Sequence, residues 1–497
     1  MKIRLAYGKQ GLDLTLPDDA DVTVVAPAFV PALPDPEAAL RDAIASPLGA
    51  PPLRELVSPS DTVAIVFSDI TRPAPNHLIL PAVLEAISHV PPQDIVLCNA
   101  LGTHRPNTDA ELRRMLGDAV VDRYRIVQNN AFDPDTQVYL GASSWGHEVW
   151  LNRAYMEADV KILTGFIEPH FFAGFSGGGK AVMPGMAGQR TVLGNHDANM
   201  IGNARATWGV TWGNPIWEEA REVALKTDPA FIVNVTLNRD KAITGVFAGA
   251  LDAAHQAGTA FARQTAMAPI DAPFDIVIGT NSGYPLDLNL YQTVKGMSAA
   301  CEAVRAGGAI IIASECWDGI PDHGLYGALL REAKDPRDLL DRIYAYDEPR
   351  QDQWEAHVQA RGAVEGRGAC VLRPPDAAAD HRGAARAMHR HRRHGREAAR
   401  QVRARRAPLR DARRPADRAL PERRGERARI AAPANVGGQM SQERRVKNVK
   451  VVRFQLTKTD FIEQAEKELS RLLSQGWKII ANGGAGNYAY VILQIEV

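Results

Sequence analysis

The alternation of short apolar runs with helical segments constrains the fold of the first ~360 residues most strongly. Runs rich in β-branched residues are typical of strands buried on both faces of a parallel sheet. Helical patterns occupy 77–88 and 109–117 between such runs. This strand–helix alternation predicts doubly wound α/β sheets. The predicted strands are TVAIVFSD (62–69), DIVLCNAL (94–101), DVKILTGFI (159–167), DIVIGTN (275–281) and GAIIIASE (308–315).

The α/β part divides into two predicted domains. The segment TAMAPIDAPFD (265–275) is rich in Pro and Ala and is typical of a crossing between domains. We therefore predict an N-terminal cofactor-binding α/β domain over 1–268 and a truncated C-terminal α/β domain over 269–361. The active site is expected between them.

The composition changes abruptly after Ala363. Residues 361–430 contain 21 Arg, no Lys and 8 Asp plus Glu, without an apolar periodicity that could form a core. We predict that 362–439 is disordered. Clustered arginines attract phosphates, so a nonspecific nucleic-acid-binding tail is one interpretation. The interpretation we favour is a GC-rich gene translated in a shifted frame, because Arg, Ala, Pro and Gly dominate while Lys and aromatic residues are missing.

Residues 440–497 return to an ordinary pattern. A strand (VKVVRFQL), an amphipathic helix and a β-hairpin predict a small βαββ unit. We interpret this unit as the product of a neighbouring gene that the shifted frame has fused to the chain.

Length and composition exclude several classes of protein. No apolar run approaches the ~20 residues needed to span a membrane, and the first residues lack the apolar core of a secretory signal. The four cysteines show no CxxC spacing, which argues against a zinc knuckle or a disulfide framework. We expect a cytoplasmic protein without membrane partners and without a specific nucleic-acid target.

The stretch 164–197 combines a Gly-rich turn with imidazoles and an amine. Gly177, Gly178 and Gly179 precede Lys180, and consecutive backbone N–H groups in such a turn can cradle an anion. Together with His170 and His196 in the same stretch, these residues predict a phosphorylated cofactor. The spacing Gly-x₄-Gly-Lys is also that of a P-loop. Ala181 stands where a P-loop needs Ser or Thr to bind Mg²⁺, which disfavours that alternative.

Polar residues follow three of the predicted strands. Asp69, His104 and His170 each come shortly after a buried apolar run. In open α/β sheets, ligands bind at the carboxyl ends of strands. We therefore expect these distant segments to meet at one site.

Several short segments in a fixed order closely resemble the nickel-pincer-dependent lactate racemase family. The resemblance covers about residues 1–361, and it is the ordered set that makes it specific. The segments are SDITRP, LGTHRP, EPHFFAGFSGGGK, LGNHD, LYQTVKG and DQW.

The resemblance implies a nickel-pincer cofactor, nickel held by a pyridinium-3-thioamide-5-thiocarboxylic acid mononucleotide. By motif match, Lys180 is the thioamide tether and His196 ligates nickel. His104 and His170 match the paired acid/base histidines. Asp69 matches a residue that orients a catalytic group. The substrate-binding matches are Arg72, Tyr291, Gln292, Lys295 and Trp354.

The chemistry of the implied reaction accounts for this set of residues. The α-proton of a 2-hydroxy acid is hard to remove, whereas loss of hydride gives a planar 2-keto acid that can be reduced on either face. Imidazoles suit proton transfer at the hydroxyl, and Arg or Lys suits the carboxylate. The resemblance thus implies a racemase or epimerase for lactate or a related acid, matured by cofactor-biosynthesis enzymes. The alternatives are a P-loop-like phosphotransferase and an inactive fused product that binds nucleic acid nonspecifically.

Overall fold

The computed structural model describes residues 1–16, 20–321 and 324–364, together with the backbone of four strands further along the chain. The α-helices are α1 Pro36–Ala45, α2 Leu53–Leu56, α3 Asn76–Ala86, α4 Asp109–Leu116, α5 Asp118–Arg123, α6 Arg153–Met156, α7 Gln189–Asn195, α8 Ala198–Gly202, α9 Pro215–Leu225, α10 Leu251–Ala266, α11 Leu290–Cys301, α12 Tyr326–Glu332, α13 Pro336–Tyr344 and α14 Gln353–Val364.

The strands and three short 3₁₀ turns complete the described elements. The 3₁₀ turns are Pro92–Asp94, Pro134–Thr136 and Gly178–Ala181. The strands are β1 Lys2–Leu5, β2 Leu12–Thr15, β3 Val63–Ser68, β4 Ile95–Ala100, β5 Arg125–Gln128, β6 Gln137–Ala142, β7 Glu148–Asn152, β8 Val160–Phe166, β9 Pro169–His170, β10 Gly174–Phe175, β11 Phe231–Leu237, β12 Ile243–Gly249, β13 Ala268–Pro269, β14 Phe274–Thr280, β15 Val304–Ala313, β16 Gly368–Arg373, β17 Arg445–Val446, β18 Trp477–Ile479 and β19 Leu493–Ile495.

The predicted α/β class is confirmed. All five predicted strands are present as β3, β4, β8, β14 and β15, and the two predicted helices are α3 and α4. The start of α4 shows why the local sequence folds in this way. Thr108 accepts a hydrogen bond from the Glu111 backbone N–H, and the Glu111 carboxylate accepts one from the Thr108 N–H. This reciprocal capping box satisfies two N–H groups that the first helical turn leaves without partners.

The first sheet has the strand order β12-β11-β8-β3-β4-β5, and only β12 runs antiparallel to its neighbour. From β3 the chain proceeds to β4 and β5 on one side, and from β8 to β11 and β12 on the other. The strand order therefore reverses between β3 and β8. Such a switch point opens a crevice at the carboxyl ends of the two strands, where ligands bind in doubly wound folds.

The second sheet has the order β14-β15-β16-β19-β18, in which β14, β15 and β16 are parallel. The strand β16 lies inside the predicted segment 362–439, so the first part of that segment contributes to this sheet. In the predicted 440–497 unit, β18 and β19 pair antiparallel, and β19 lies beside β16. The predicted strand VKVVRFQL and the predicted helix of that unit lie outside the described residues, as does the rest of the Arg-rich block.

The N-terminal hairpin packs on the second sheet rather than on the first. Ile3 and Leu5 of β1 share a core cluster with Ile276 and Ile278 of β14. The predicted boundaries at 268 and 361 stay predictions, but the core assigns the first residues of the chain to the second half of the molecule.

A further core cluster joins the two halves. It takes buried side chains from the segments after β8 and from α8 and α9, and others from α11 to α14. The segments at the carboxyl ends of the first sheet are thereby packed against helices that connect the strands of the second sheet. Central members of the cluster are Phe171, Phe172, Ile201, Ile216, Val294, Tyr326, Leu329 and Trp354.

No helix in the described part of the chain is long and apolar enough to span a bilayer.

A buried hydrogen bond of Tyr155 offers a test of the packing against one face of the first sheet. The Tyr155 hydroxyl lies 2.7 Å from Thr227 Oγ1, which itself donates to the Ala224 carbonyl, so Tyr155 is the donor. We predict that Tyr155→Phe lowers the free energy of unfolding by about 1 kcal/mol. Denaturant unfolding measures this loss. Tyr139, which is 51% exposed, supplies the control. Equal effects of Tyr155→Phe and Tyr139→Phe would contradict the packing described.

Candidate active site

Three adjacent strands of the first sheet deliver the polar residues predicted at their ends. Asp69 follows β3, His104 follows β4 and His170 lies in β9 just after β8. Because β8, β3 and β4 are neighbours in the sheet, their carboxyl ends meet at one edge. The sequence led us to expect that these segments meet at the carboxyl ends of the strands, and the structure shows in addition that Asp69 and His170 flank the switch point between β3 and β8.

Asp69 and His104 form a hydrogen-bonded pair. His104 Nδ1 lies 3.0 Å from Asp69 Oδ2, and the Thr71 hydroxyl donates to the same carboxylate at 2.9 Å. Burial favours a higher pKa for Asp69, but the hydrogen bond and charge of His104, the charge of Arg72 and the Thr71 hydroxyl bring the pKa below its ordinary value. An ionised Asp69 fixes the proton of a neutral His104 on Nδ1. Nε2 is then left as the basic atom.

His170 is held differently. Its Nδ1 accepts hydrogen bonds from the backbone N–H groups of Phe172 at 3.4 Å and Ala173 at 3.2 Å. The ring stacks on Phe171 and meets Phe172 edge-on. Since Nδ1 acts as an acceptor, the proton of the neutral ring lies on Nε2. The two histidines therefore present opposite tautomers in this arrangement.

The Gly-rich turn is packed tightly against the chain's own side chains. Gly178 has φ +54°, and a Cβ there would lie 2.7 Å from the ring of His255. Its N–H donates to Asn234 Oδ1 at 2.8 Å, so this amide is not free to bind a phosphate. At Gly177, with φ +79°, a Cβ would lie 2.7 Å from the same Asn234 oxygen. Glycine is thus required here by close packing, a reason that the sequence did not reveal.

Lys180 follows this turn within the 3₁₀ segment and carries an unusual amine. Its Nζ lies 5.7 Å from the centre of the Phe172 ring. The site removes water from the amine, and the positive charges of Arg72 and Lys295 add to that effect. Together they lower the pKa of Lys180 to about 7. A substantial neutral fraction at neutral pH makes this amine a nucleophile.

His196 caps the end of α7 and is buried between two aromatic rings. Phe172 and Trp354 each meet it edge-on at 5.1 Å. Its Nδ1 is buried and makes no hydrogen bond to any residue that the structure describes. Burial and the charge of Lys180 lower the pKa of His196 to about 3. The ring is therefore neutral, the form in which imidazole binds metals.

A charged cluster lies at the junction of α7 and α8, next to His196. Asp197 caps α8 through Met200 N–H and lies 3.6 Å from His147 Nε2, while His147 Nδ1 lies 2.9 Å from Glu219. Hydrogen bonds to Asp197 and Glu219 raise the pKa of His147 to about 9, so the ring is a cation at neutral pH. This cluster fixes the corner between α7 and α8. Asp197 belongs to the segment LGNHD, in which only the histidine had been singled out.

The second half of the molecule adds the predicted substrate residues. Trp354 of α14 donates its indole N–H to the Tyr291 hydroxyl at 3.2 Å, and Lys295 Nζ donates to Gln292 Oε1 at 2.7 Å. All four lie on the packed pair α11 and α14. Since Trp354 also contacts His196, the helices α11 and α14 close one side of the site.

Arg72 links the two halves electrostatically. Its backbone N–H donates to the Asp69 carbonyl at 3.0 Å, and its charge acts on Asp69, Lys180 and Tyr291. The structure thus brings the predicted site residues of both halves into one region. Sequence reasoning missed Phe172, whose ring lies between His170, Lys180 and His196, although it stands in the segment EPHFFAG.

Sequence reasoning also missed Glu355, which directly follows Trp354 and is 2% exposed. Burial is the main reason that its pKa is raised to about 8; the charges of Lys295 and Arg72 oppose this rise, and the charge of Asp352 adds to it. The position of Glu355 directly after the DQW segment was the only indication of its role that the sequence offered.

Comparisons with known proteins agree with this geometry. Residues 7–209 match the lactate racemase N-terminal domain, and residues 270–371 match the lactate racemase C-terminal domain. The chain is 37% identical to a lactate racemase of Thermoanaerobacterium thermosaccharolyticum over 366 residues, which is 72% of this chain and 85% of the relative. The chain belongs to the lactate racemase family.

Further relatives support the same assignment. A lactate racemase of Lactiplantibacillus plantarum is 40% identical over 322 residues, which cover 64% of this chain and 75% of the relative. The solved lactate racemase apoprotein from T. thermosaccharolyticum superposes with a TM-score of 0.70 at 34% identity, covering 75% of this chain and 88% of that one. A Thermotoga maritima protein, at TM-score 0.52 and 18% identity, shares the fold.

Membership in this family makes the chain an isomerase of the racemase type. The P-loop phosphotransferase alternative is therefore wrong. The Gly-rich turn is packed on Asn234 and His255 instead of being open to a phosphate chain, and Lys180 lies beside the buried imidazole of His196. Ala181 creates no conflict with this arrangement. The match to the C-terminal domain reaches residue 371, close to the end of β16.

The amine of Lys180 gives a testable pH dependence of stability. Its pKa falls from 10.5 to about 7 on folding, so between these values the unfolded chain binds more protons than the folded one. The free energy of unfolding of the wild type should rise with pH across this window. Lys180→Met should therefore be more stable than wild type near pH 7, and this advantage should vanish as the pH approaches 10.5.

Urea unfolding at several pH values measures this difference, with Lys2→Met, at an exposed lysine, as the control. An advantage of Lys180→Met that stays constant with pH would show that the amine is charged in the folded protein.

Proposed function

We propose that the chain racemises or epimerises a 2-hydroxy acid, lactate or a related acid, through a 2-keto acid. Family membership gives the reaction class. The observation that supports the chemistry best is the single row formed by Lys180, Phe172, His196 and Trp354, beside the Asp69–His104 pair. An amine, a neutral imidazole and an acid/base pair whose carboxylate is buried meet the needs of the reaction there.

The residues present fit the nickel-pincer nucleotide that the family resemblance implies. His196 carries a buried ring nitrogen without a described hydrogen-bond partner, which suits a soft-to-borderline metal ion such as nickel. Lys180, with its lowered pKa, suits the covalent tether. When bound, the cofactor supplies the acceptor for the hydride that leaves the substrate carbon. Cofactor-biosynthesis enzymes are the maturation partners that this proposal requires.

Arg72 and Lys295 hold the substrate carboxylate in this proposal. Their charges act together on Lys180 and on Glu355, so both face the same region from opposite halves of the molecule. Gln292 fixes the Lys295 amine, and the Tyr291–Trp354 pair forms the adjoining wall. The carboxylate is thus bound by a cation from each half, and the hydroxyl-bearing carbon lies between them.

His104 acts as the base at the substrate hydroxyl. The Asp69 carboxylate holds its Nδ1 proton and stabilises the cation that forms when Nε2 accepts a proton. His170 serves the opposite stereoisomer. With the Phe172 and Ala173 amides on its Nδ1, it presents a proton on Nε2. For His170 to accept a proton at Nε2, the turn at 171–173 must release Nδ1, and the ring proton must move from Nε2 to Nδ1.

The experiment is co-expression with the pincer-biosynthesis enzymes, followed by intact mass and nickel analysis. We expect a covalent adduct in the wild type that is missing in Lys180→Ala, and reduced nickel in His196→Ala. His104→Ala and His170→Ala should retain the adduct and lose about 10²–10⁴-fold in racemisation rate. His77→Ala, at an exposed histidine of α3, is the matched control. An adduct that persists in Lys180→Ala would overturn the assignment of the tether.

A further inference from the structure

Glu355 is a buried carboxyl group that the reaction described above does not use. It lies on α14 next to Trp354 and is 2% exposed. Its Oε2 atom makes no hydrogen bond to any residue in the described part of the chain. A buried polar atom left without a partner is costly, which raises the question of what the atom binds in the working enzyme.

Charged and titratable groups from several elements interact electrostatically with Glu355. Lys295 and Tyr291 belong to α11, Arg72 to the loop after β3, Asp352 to the turn before α14, and Tyr326 to α12. Two of these groups, Arg72 and Lys295, are the cations that we assign to the substrate carboxylate. The glutamate therefore lies beside the place where an anionic substrate would bind.

Near neutral pH the surroundings favour an uncharged Glu355. Burial raises its pKa more strongly than any other influence; Lys295 and Arg72 lower it, and Asp352 raises it. A neutral carboxyl group has an O–H donor that an ionised one lacks. A donor without a partner among the described residues, close to two cations, completes a site for an anion with hydrogen-bonding oxygens.

We propose that Glu355 is a substrate-binding residue whose neutral carboxyl group donates a hydrogen bond to the 2-hydroxy acid held by Arg72 and Lys295. Once ionised, Glu355 competes with the substrate carboxylate for the same two cations and repels it. This inference rests on the proposed function, because it takes the substrate to be a carboxylate.

The proposal makes substrate affinity depend on pH in a defined direction. Below the pKa of Glu355 the binding-competent form dominates, and KM is constant. Above that pKa the competent fraction falls tenfold for each pH unit, so KM rises about tenfold per unit. Binding of the anion in turn favours protonation of Glu355. The protein should then take up a proton from solution when substrate binds on the alkaline side.

The experiment measures KM for lactate against pH in the cofactor-loaded wild type, in Glu355→Gln and in Glu348→Gln, whose glutamate is exposed on the same half of the molecule. We expect KM to rise with pH in the wild type and in Glu348→Gln. In Glu355→Gln, where an amide stays neutral and still donates, the alkaline rise should disappear. Glu355→Ala, which has no donor, should show a raised KM at every pH.

Calorimetry of lactate binding in buffers of different ionisation enthalpy gives a second readout that needs no variant. Proton uptake by the wild type on the alkaline side supports the proposal, and its absence overturns it. If the wild type racemises the substrate and KM rises with pH in Glu355→Gln as it does in the wild type, the role of Glu355 is likewise overturned. Failure of the cofactor-loaded wild type to racemise any 2-hydroxy acid would instead overturn the proposed function.

Discussion

The close packing of the Gly-rich turn fixes the positions on which the rest of the site depends. Asn234 of β11 holds the Gly178 amide, and His255 of α10 lies where a side chain at Gly178 would be. His255 in turn is tied through Nε2 to the Ser176 carbonyl at 3.0 Å. These contacts bind the turn to the neighbouring strand and helix of its own sheet. Lys180 follows the turn immediately, so these contacts fix the position of its backbone.

From Lys180, a row of contacts with aromatic rings leads to the second half of the molecule. Phe172 touches both Lys180 and His196, His196 touches Trp354, and Trp354 binds Tyr291. The row combines the residue assigned to the cofactor tether, the one assigned to the metal and two assigned to the substrate. Its burial also lowers the pKa values of Lys180 and His196, so the packing that joins the halves favours the neutral forms that the proposed chemistry requires.

Much of this arrangement could be predicted from the sequence because it depends on local pattern. Strands such as β3 and β8 are mainly apolar runs, and the residues just after them must lie at the carboxyl edge of the sheet. Contacts between distant segments leave no such pattern. The hairpin β1–β2 packs on β14, and nothing in its own sequence names that partner.

The same limit applies to side chains whose role depends on what surrounds them. Gly178 could be recognised as part of a flexible turn, but its need for glycine comes from His255, which lies far along the chain. The burial of Glu355 and the amides that hold His170 Nδ1 likewise arise only when separate elements pack together. The ordered segments could point to candidate residues for the site, whereas the protonation states of these residues required the folded structure.

In the proposed reaction, the hydrogen on the substrate carbon moves as a hydride and returns to the same carbon. The direct test is racemisation of lactate deuterated at C2, carried out in ordinary water with the cofactor-loaded protein. Mass spectrometry or NMR then measures the deuterium in the product of opposite configuration. The account predicts that this product keeps its deuterium at C2. Replacement of the deuterium by solvent hydrogen at the rate of racemisation would show proton abstraction instead and would contradict it.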